Sequence, residues 1–157
     1  MTTIRRAKHE DAETIEKLYT ELEKDAVFYQ PEHFVMSAEG MRKQQFYELL
    51  DCERQAMFVA EDDGIVIGFA HAVLMPVKNI SCLKTQSNVY IQDMIVTENH
   101  RSCGIGSRLM SAVKEYGRQH NSDFVRTQVF PMNEDGLRFY QKNGFLITML
   151  TIEAPLT

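Results

Sequence analysis

No stretch of this sequence stays apolar for the roughly 20 residues that a membrane-spanning helix needs. The Thr2 to Asp11 segment also lacks the apolar centre of a secretion signal, so a cytoplasmic protein without a membrane partner is expected. Cysteine is scarce. The three present, Cys52, Cys82 and Cys103, are odd in number and lack metal-ligand spacing, which argues against a disulfide framework and leaves no metal site to expect. There is no long basic run, and the formal net charge is −5. Nucleic acid is therefore not expected as a partner, whereas a cationic amine is compatible with the charge. No repeat, low-complexity block or Pro/Gly/Ser-rich linker divides the chain, so residues 1–157 are read as a single domain. Its content of 44% hydrophobic and 25% charged residues suits a soluble globular core.

What is present is an alternation of strand and helix patterns. Thr3 to Ala7 reads as a strand, and after acidic capping candidates at Glu10 and Asp11 the residues Ala12, Ile15, Leu18, Tyr19 and Leu22 recur at helical spacing. Pro31 interrupts, and Met41, Phe46, Leu49 and Leu50 mark a second helix. Asp63-Gly64 between two apolar runs predicts a hairpin. Asn88 to Val96 carries apolar groups at both parities, as a central strand covered on both faces would. The following helix shows Ile105, Leu109, Ala112, Val113 and Tyr116 on one face. Phe124 to Phe130 reads as a strand ended by Pro131, Asn133 as the cap of a short helix stopped at Asn143-Gly144, and Phe145 to Ile152 as a final strand. The order β-α-α-β-β-β-α-β-α-β indicates an α/β domain with a mixed sheet, not uniform βαβ units.

The passage from Asp93 to Met110 is the most informative. It runs from an apolar strand through Arg101-Ser-Cys-Gly104-Ile-Gly106 into an amphipathic helix. The first N–H groups of a helix have no intrahelical partners, so with the helix dipole they can receive a phosphate. Glycines at 104 and 106 let a ligand approach the backbone. A dinucleotide fingerprint needs a third glycine at position 109, which is Leu, and a Walker loop needs Gly-Lys-Ser/Thr, which is absent.

Arg-x-x-Gly-x-Gly after an apolar strand resembles the acyl-CoA pyrophosphate loop of the GCN5-related N-acetyltransferase (GNAT) superfamily. A second block, Asn133-Glu-Asp-Gly-Leu-Arg-Phe-Tyr140-Gln-Lys-Asn-Gly144-Phe145, is similar to that family's C-terminal segment. The resemblance covers nearly the whole chain and is specific at about residues 90 to 116 and 131 to 146. It implies a mixed, mostly antiparallel central sheet flanked by helices, acetyl-CoA as cosubstrate, and transfer of its acetyl group to a primary amine of a small molecule or peptide. It also implies a cofactor surface made by the backbone at Ile95 and Val96, by Arg101, Cys103, Gly104, Ile105, Gly106 and Ser107, and by Asn133 and Tyr140. A homodimer is compatible with it. Ser102 and Cys103 stand where Gly and Lys are frequent in relatives, which weakens phosphate attraction modestly and leaves the backbone donors. Arg108 reads equally as a solvated helix charge.

The implied reaction has two costs. A lysine-like amine, with pKa about 10.4, must lose its proton before it attacks, which costs roughly 4 to 5 kcal/mol at pH 7. Asp93, on the central strand among apolar neighbours, is the first candidate base; a structural Asp bonded to a nearby loop is the competing reading, and His71 is the second candidate base. The CoA sulfur must also depart, and the resemblance makes Tyr140 its proton or hydrogen-bond donor. A phenol at about 10 facing a thiol near 8.5 makes full transfer uphill by roughly 2 kcal/mol, which favours a hydrogen bond that tightens as charge develops, or transfer assisted by a shifted pKa. Asn133 and Tyr140 share one helix face about 10 Å apart along the axis, a spacing that suits an extended pantetheine arm. A CoA-binding module of the same fold without turnover is the alternative.

Overall fold

The computed structural model describes residues 1–157. Strand β1 (Thr2–Arg6) leads through one 3-10 turn into helix α1 (Ala12–Tyr29), which ends two residues before Pro31. Helix α2 (Met41–Leu50) follows, then β2 (Gln55–Asp62) and β3 (Ile65–Met75). Between these two strands Asp63 and Gly64 both take positive φ, 49° and 82°, the combination a tight two-residue hairpin turn requires. Strand β4 (Asn88–Val96) has the bounds the apolar run predicts. After it come α3 (Ile105–Gln119), β5 (Phe124–Arg126) and α4 (Glu134–Lys142).

The strands form one sheet in chain order, antiparallel from β1 to β4 and parallel between β4 and β5. Each face of the sheet is covered because the helices split between them. Ile105, Leu109, Met110, Val113 and Tyr116 of α3 bury against Ala70, Ala72, Val89 and Ile91 on one face. On the other face, Ile15, Leu18 and Tyr19 of α1 and Phe46 and Leu49 of α2 bury against Met57, Val59, Phe69 and Ile95. The expected stripes of both long helices are thus the buried ones, each such side chain contributing about 1.5–3 kcal/mol for the larger apolar types. Met41 is the exception, lying exposed at the start of α2.

Two departures from the sequence pattern matter for the site. Strand β5 stops at Arg126 instead of Phe130, so β4 runs on to Val96 without a strand on that side. The final strand expected over Phe145 to Ile152 does not form: the chain beyond α4 has no regular structure and no backbone hydrogen bond after Phe145 N–H to the Tyr140 carbonyl. Its apolar residues have the strand composition but no strand beside them to pair with. No helix is long and apolar enough to cross a membrane, and no cluster of three or more His, Cys, Asp or Glu side chains could hold a metal.

Candidate active site

The register of β3 on β4 contains one irregularity. Ala72 pairs with Ile91 and His71 with Asp93, leaving Gln92 unmatched as a bulge on β4. Side chains alternate along a strand, and an extra residue reverses the alternation beyond it. Val89 and Ile91 bury against α3, whereas after the bulge Met94 and Val96 take that face and Ile95 joins the α1/α2 core. Asp93 is therefore turned to the α1/α2 face with His71 and Tyr19. A regular strand would have kept it with Ile91, under α3.

The bulge re-aims the backbone as well. Ser87 and Ile91 direct their carbonyls to the β5 side, where they accept from Asp123 N–H at 2.9 Å and Thr127 Oγ1 at 3.0 Å. Beyond it, Thr97 N–H bonds the Ile67 carbonyl at 2.8 Å and Val96 offers its carbonyl outward, where it accepts from Arg101 Nε at 2.9 Å. By that alternation Ile95 turns its main chain to β3, and Met94 and Val96 present theirs to the open edge. Backbone pairing with β5 has already ended at Tyr90 and Arg126, so β4 and the segment after β5 part beyond that point and leave a cleft between them.

Around Asp93 stand several polar groups. Its carboxylate lies 3.9 Å from His71 Nδ1, and the two side chains keep 23% and 10% exposure. His71 Nε2 is 2.7 Å from Gln55 Oε1, while Nδ1 is buried with no hydrogen-bond partner. Burial, followed by the Asp93 charge, pushes the Tyr19 phenol far above its ordinary value. The Arg42 guanidinium lies 4.5 Å from the Tyr19 ring centroid and partly offsets that effect. Tyr90, whose hydroxyl donates to Gln128 Oε1 at 3.0 Å, is also raised, by burial first and then by Asp93.

Tyr140, on α4, is near enough to Thr127, Asp93 and Tyr90 for each to act on its phenol. Burial pushes its phenol up to about 12; a hydrogen bond with Thr127 offsets part of this, and the Asp93 and Tyr90 charges add to it. Thr127, whose Oγ1 donates to the Ile91 carbonyl at 3.0 Å, thus stands near Tyr140 at the point where β4 and β5 part. The structure brings Asp93, His71 and Tyr140 into one neighbourhood. Tyr19, Tyr90, Thr127 and Gln55 belong to it too, and the sequence patterns single out none of them for chemistry. Tyr19 reads simply as one position of a buried helical stripe.

The glycine turn has the predicted donors. Helix α3 begins after Gly104, whose φ of +80° is in the left-handed region, and Ser102 just before it has φ 63°. No backbone hydrogen bond from the N–H groups of Cys103 through Ser107 occurs within the protein, the first being Arg108 N–H to the Gly104 carbonyl at 3.1 Å. These amides, on residues that are exposed or half-buried apart from buried Ile105, lie at the open-edge end of β4 and fit a pyrophosphate. Gly106 has a second duty: a Cβ there would stand 2.8 Å from Phe139 Cε1, so α4 packs directly on the first turn of α3. Arg108 donates to the Thr2 carbonyl at 2.9 Å and holds β1. Asn133 caps α4, its Oδ1 accepting from Gly136 N–H at 3.0 Å. A cleft of about 340 Å³ lies elsewhere, between the second half of α3, the start of β5 and Asn143 to Phe145.

With this geometry in hand, comparison with known proteins is decisive for the family. The model of the acetyltransferase (GNAT) family matches residues 15–145. An uncharacterized N-acetyltransferase, YhfO, of Bacillus subtilis is 29% identical over 143 residues, 90% of this chain and 88% of that one. The aminoglycoside N(6')-acetyltransferase type 1 of Salmonella typhimurium is 26% identical over 98 residues, 62% of this chain and 67% of its own. Among solved structures, a single-residue mutant of the BH1408 protein of Bacillus halodurans superposes with a TM-score of 0.92 at 24% identity, over 99% of each chain. The aminoglycoside acetyltransferase AAC(6')-Iy, solved with a bisubstrate analogue of CoA and an acetylneamine, gives 0.79 at 22% identity over 100% of this chain and 99% of that one. These likenesses to solved structures are of fold, while the family match spans both motif blocks, and the chain belongs to the acetyltransferase (GNAT) family as an acetyl-CoA-dependent N-acyltransferase.

Proposed function

We propose that the chain transfers the acetyl group of acetyl-CoA to a primary amine of a small molecule by direct attack, with Asp93 as general base and Tyr140 as donor to the departing sulfur. The observation that carries this reading is the β4 bulge, which turns Asp93 to the α1/α2 face beside the cleft reached by Tyr140. The protonated amine meets the Asp93 carboxylate first and gives up its proton there, directly or through water, with His71 next in line at 3.9 Å. With its phenol near 12, Tyr140 is a weaker acid than a thiol near 8.5 by enough to make full transfer uphill by roughly 5 kcal/mol. Its role is accordingly a hydrogen bond that strengthens as charge gathers on sulfur, held in aim by Thr127.

Acetyl-CoA supplies the activated acyl group. The unpaired amides of Cys103 through Ser107 are suited to its pyrophosphate, with Arg101 holding the turn through the Val96 carbonyl. The outward main chain of Val96 and Met94, beside Ile95, suits the amides of its pantetheine, and Asn133 Nδ2 is a further donor on the α4 side. Names of relatives that act on aminoglycosides favour a cationic small-molecule acceptor, as does a lone carboxylate at the amine end of the cleft. A homodimer in the cytoplasm, without metal, nucleic acid or membrane, completes the reading.

The test is a panel of aminoglycosides, polyamines, amino acids and peptides with detection of released thiol, beside calorimetric titration of acetyl-CoA. Turnover of at least one cationic amine is expected. Binding of acetyl-CoA without turnover of any amine would favour a non-catalytic CoA-binding module, and absence of binding would sink both readings.

A further inference from the structure

Gln55 of β2, His71 of β3 and Asp93 of β4 form a row across three adjacent strands, on the sheet face that α1 and α2 cover. Register places them there: Met57 pairs with His71 and His71 with Asp93, and Gln55 shares the Met57 face two residues earlier. An amide oxygen only accepts, so the 2.7 Å contact between His71 Nε2 and Gln55 Oε1 puts the ring proton of the neutral imidazole on Nε2. Nδ1 is left with a bare lone pair, buried, unpartnered and 3.9 Å from the Asp93 carboxylate.

Two acceptors that face each other are one proton short of satisfaction. A single added proton completes the row, because an imidazolium donates from both nitrogens, Nε2 to Gln55 and Nδ1 towards Asp93. The polar groups that the helices bring to this face do not compete for it. Burial, and then the Asp93 charge, keep the Tyr19 phenol protonated, the Arg42 guanidinium over its ring is always charged, and the Glu23 carboxylate is occupied by Ser37 and Arg42. The reaction has such a proton to place. An ammonium and a thioester give an amide, a thiol and one proton in excess: the nitrogen loses two, the departing sulfur takes one, and the other needs a holder until the product leaves.

We propose that His71 is this holder and that Gln55 is the positioning residue that makes it one, by keeping the Nδ1 lone pair turned to Asp93. The proposal rests on the reading of Asp93 as the base. One N–H bond of the ammonium breaks, its electron pair stays on nitrogen for attack on the thioester carbonyl, and the proton passes through Asp93 to Nδ1. An imidazole holds a proton more tightly than a carboxylate, so storage runs downhill and leaves Asp93 charged again. When the adduct collapses, the C–S electron pair leaves with sulfur, the second N–H bond breaks towards Asp93, and sulfur departs as the thiol with one proton. The stored proton returns to water through Asp93, the more open of the two at 23% exposure against 10%.

Nitrogen-15 NMR of the histidine rings reads the tautomer directly, with the His71 signals assigned by their loss in His71→Ala. At about pH 8, above the ordinary imidazole range, the unaltered protein should carry the His71 proton on Nε2. Gln55→Leu removes the acceptor, so the proton should move to Nδ1 and fill the lone pair; kcat for an amine should then fall at least about tenfold with the acetyl-CoA KM unchanged. Gln55→Glu keeps an oxygen at Nε2 and favours the imidazolium. Its tautomer should stay, the acid limb of kcat should move to higher pH, and above that limb kcat should return to within about threefold of the parent. A merely structural Gln55 would leave the limb in place. An Nδ1–H tautomer in the unaltered protein would overturn the proposal, as would a fully active Gln55→Leu beside an inactive Asp93→Asn. A fully active Asp93→Asn would instead remove the base itself, and the holder with it.

Discussion

Gly106→Ala separates the two duties open to the second glycine of the turn. A Cβ at 106 would lie 2.8 Å from Phe139 Cε1 and 3.2 Å from Cζ, so the ring must retreat by about 0.6 Å to reach ordinary contact. It has little room, because Phe139 meets Tyr140 edge-on at 5.2 Å between centroids and Tyr140 meets Phe145 in the same way at 5.2 Å. Overpacking of this kind costs about 1–3 kcal/mol. Alanine returns up to about 1 kcal/mol in helix propensity. The net expectation is a loss of about 0–3 kcal/mol, each kcal/mol lowering Tm by about 2–4 °C in a domain of this size. Phe139→Leu in the same chain should relieve the strain, giving a coupling of at least about 0.5 kcal/mol in a urea-unfolding double-mutant cycle. Acetyl-CoA affinity should change less than about threefold, since the amide at 106 remains, while kcat falls because the displaced ring pushes on Tyr140. A variant more stable than the parent with no coupling to Phe139, or one that loses affinity tenfold at unchanged stability, would refute the packing argument and return Gly106 to the phosphate.

Asp93→Asn should lower kcat/KM for the amine by about 10² to 10⁴ at an unchanged dissociation constant for acetyl-CoA, the range expected for loss of a general base; full activity in the Asn enzyme would remove the assignment. Tyr140→Phe should lower kcat by about 10² or more with acetyl-CoA binding retained, and Thr127→Val should give a smaller loss of the same kind, both read in steady-state thiol release. Deleting Gln92 restores regular β3/β4 pairing without changing which face any side chain takes, and lets the β5 ladder run on: the deletion should keep or raise the urea midpoint while weakening acetyl-CoA binding at least tenfold, and tight binding would show that the cleft has another cause. Acid should destabilise the fold through Glu23 and Asp11. Burial raises Glu23, but Ser37 and Arg42 outweigh it, and burial raises Asp11, but Arg5 and the Lys8 N–H outweigh it, so both carboxyls sit below their ordinary values in the fold. Their contribution is then fully present above the unfolded values of about 4.3 and 3.9 and is lost as pH falls through the folded ones. Urea midpoints should hold from pH 7 to about 5 and drop below 4, and a Glu23→Gln variant, weaker at pH 7, should converge on the parent there; a midpoint rising under acid would contradict the sign.

What the sequence made legible was whatever repeats with the period of a helix or strand. The stripe of α3 from Ile105 to Tyr116 and the bounds of β4 follow from apolar spacing alone, because burial against a sheet is the force that selects both. The Asp63-Gly64 turn is legible for a related reason, as few residue pairs accept two positive φ values in succession. Thr127 was not legible as part of the site. It lies inside a run that reads as strand to Phe130, and only the early end of β5 leaves its hydroxyl bonded to the Ile91 carbonyl beside Tyr140. The tail shows the opposite failure: its strand pattern is real, but a pattern names a residue's preference and not the edge that satisfies it.

Gln92 joins these observations. An apolar strand with hydrophobic groups at both parities can absorb one extra residue and still bury a side chain on each face, so nothing in the composition of Asn88 to Val96 betrays the bulge. Its consequences nevertheless come together, because side-chain direction and main-chain direction alternate on the same period. Reversal of the first places a carboxylate on the face where α1 contributes Tyr19, away from the α3 core. Reversal of the second ends the pairing with β5 after Tyr90 and exposes the main chain of Met94 and Val96 to the cleft. A substitution could move the acid alone, and a strand break could open the edge alone. One inserted residue does both in register, which ties the position of the proposed base to the open edge proposed for the pantetheine, at the cost of an irregularity in a single ladder.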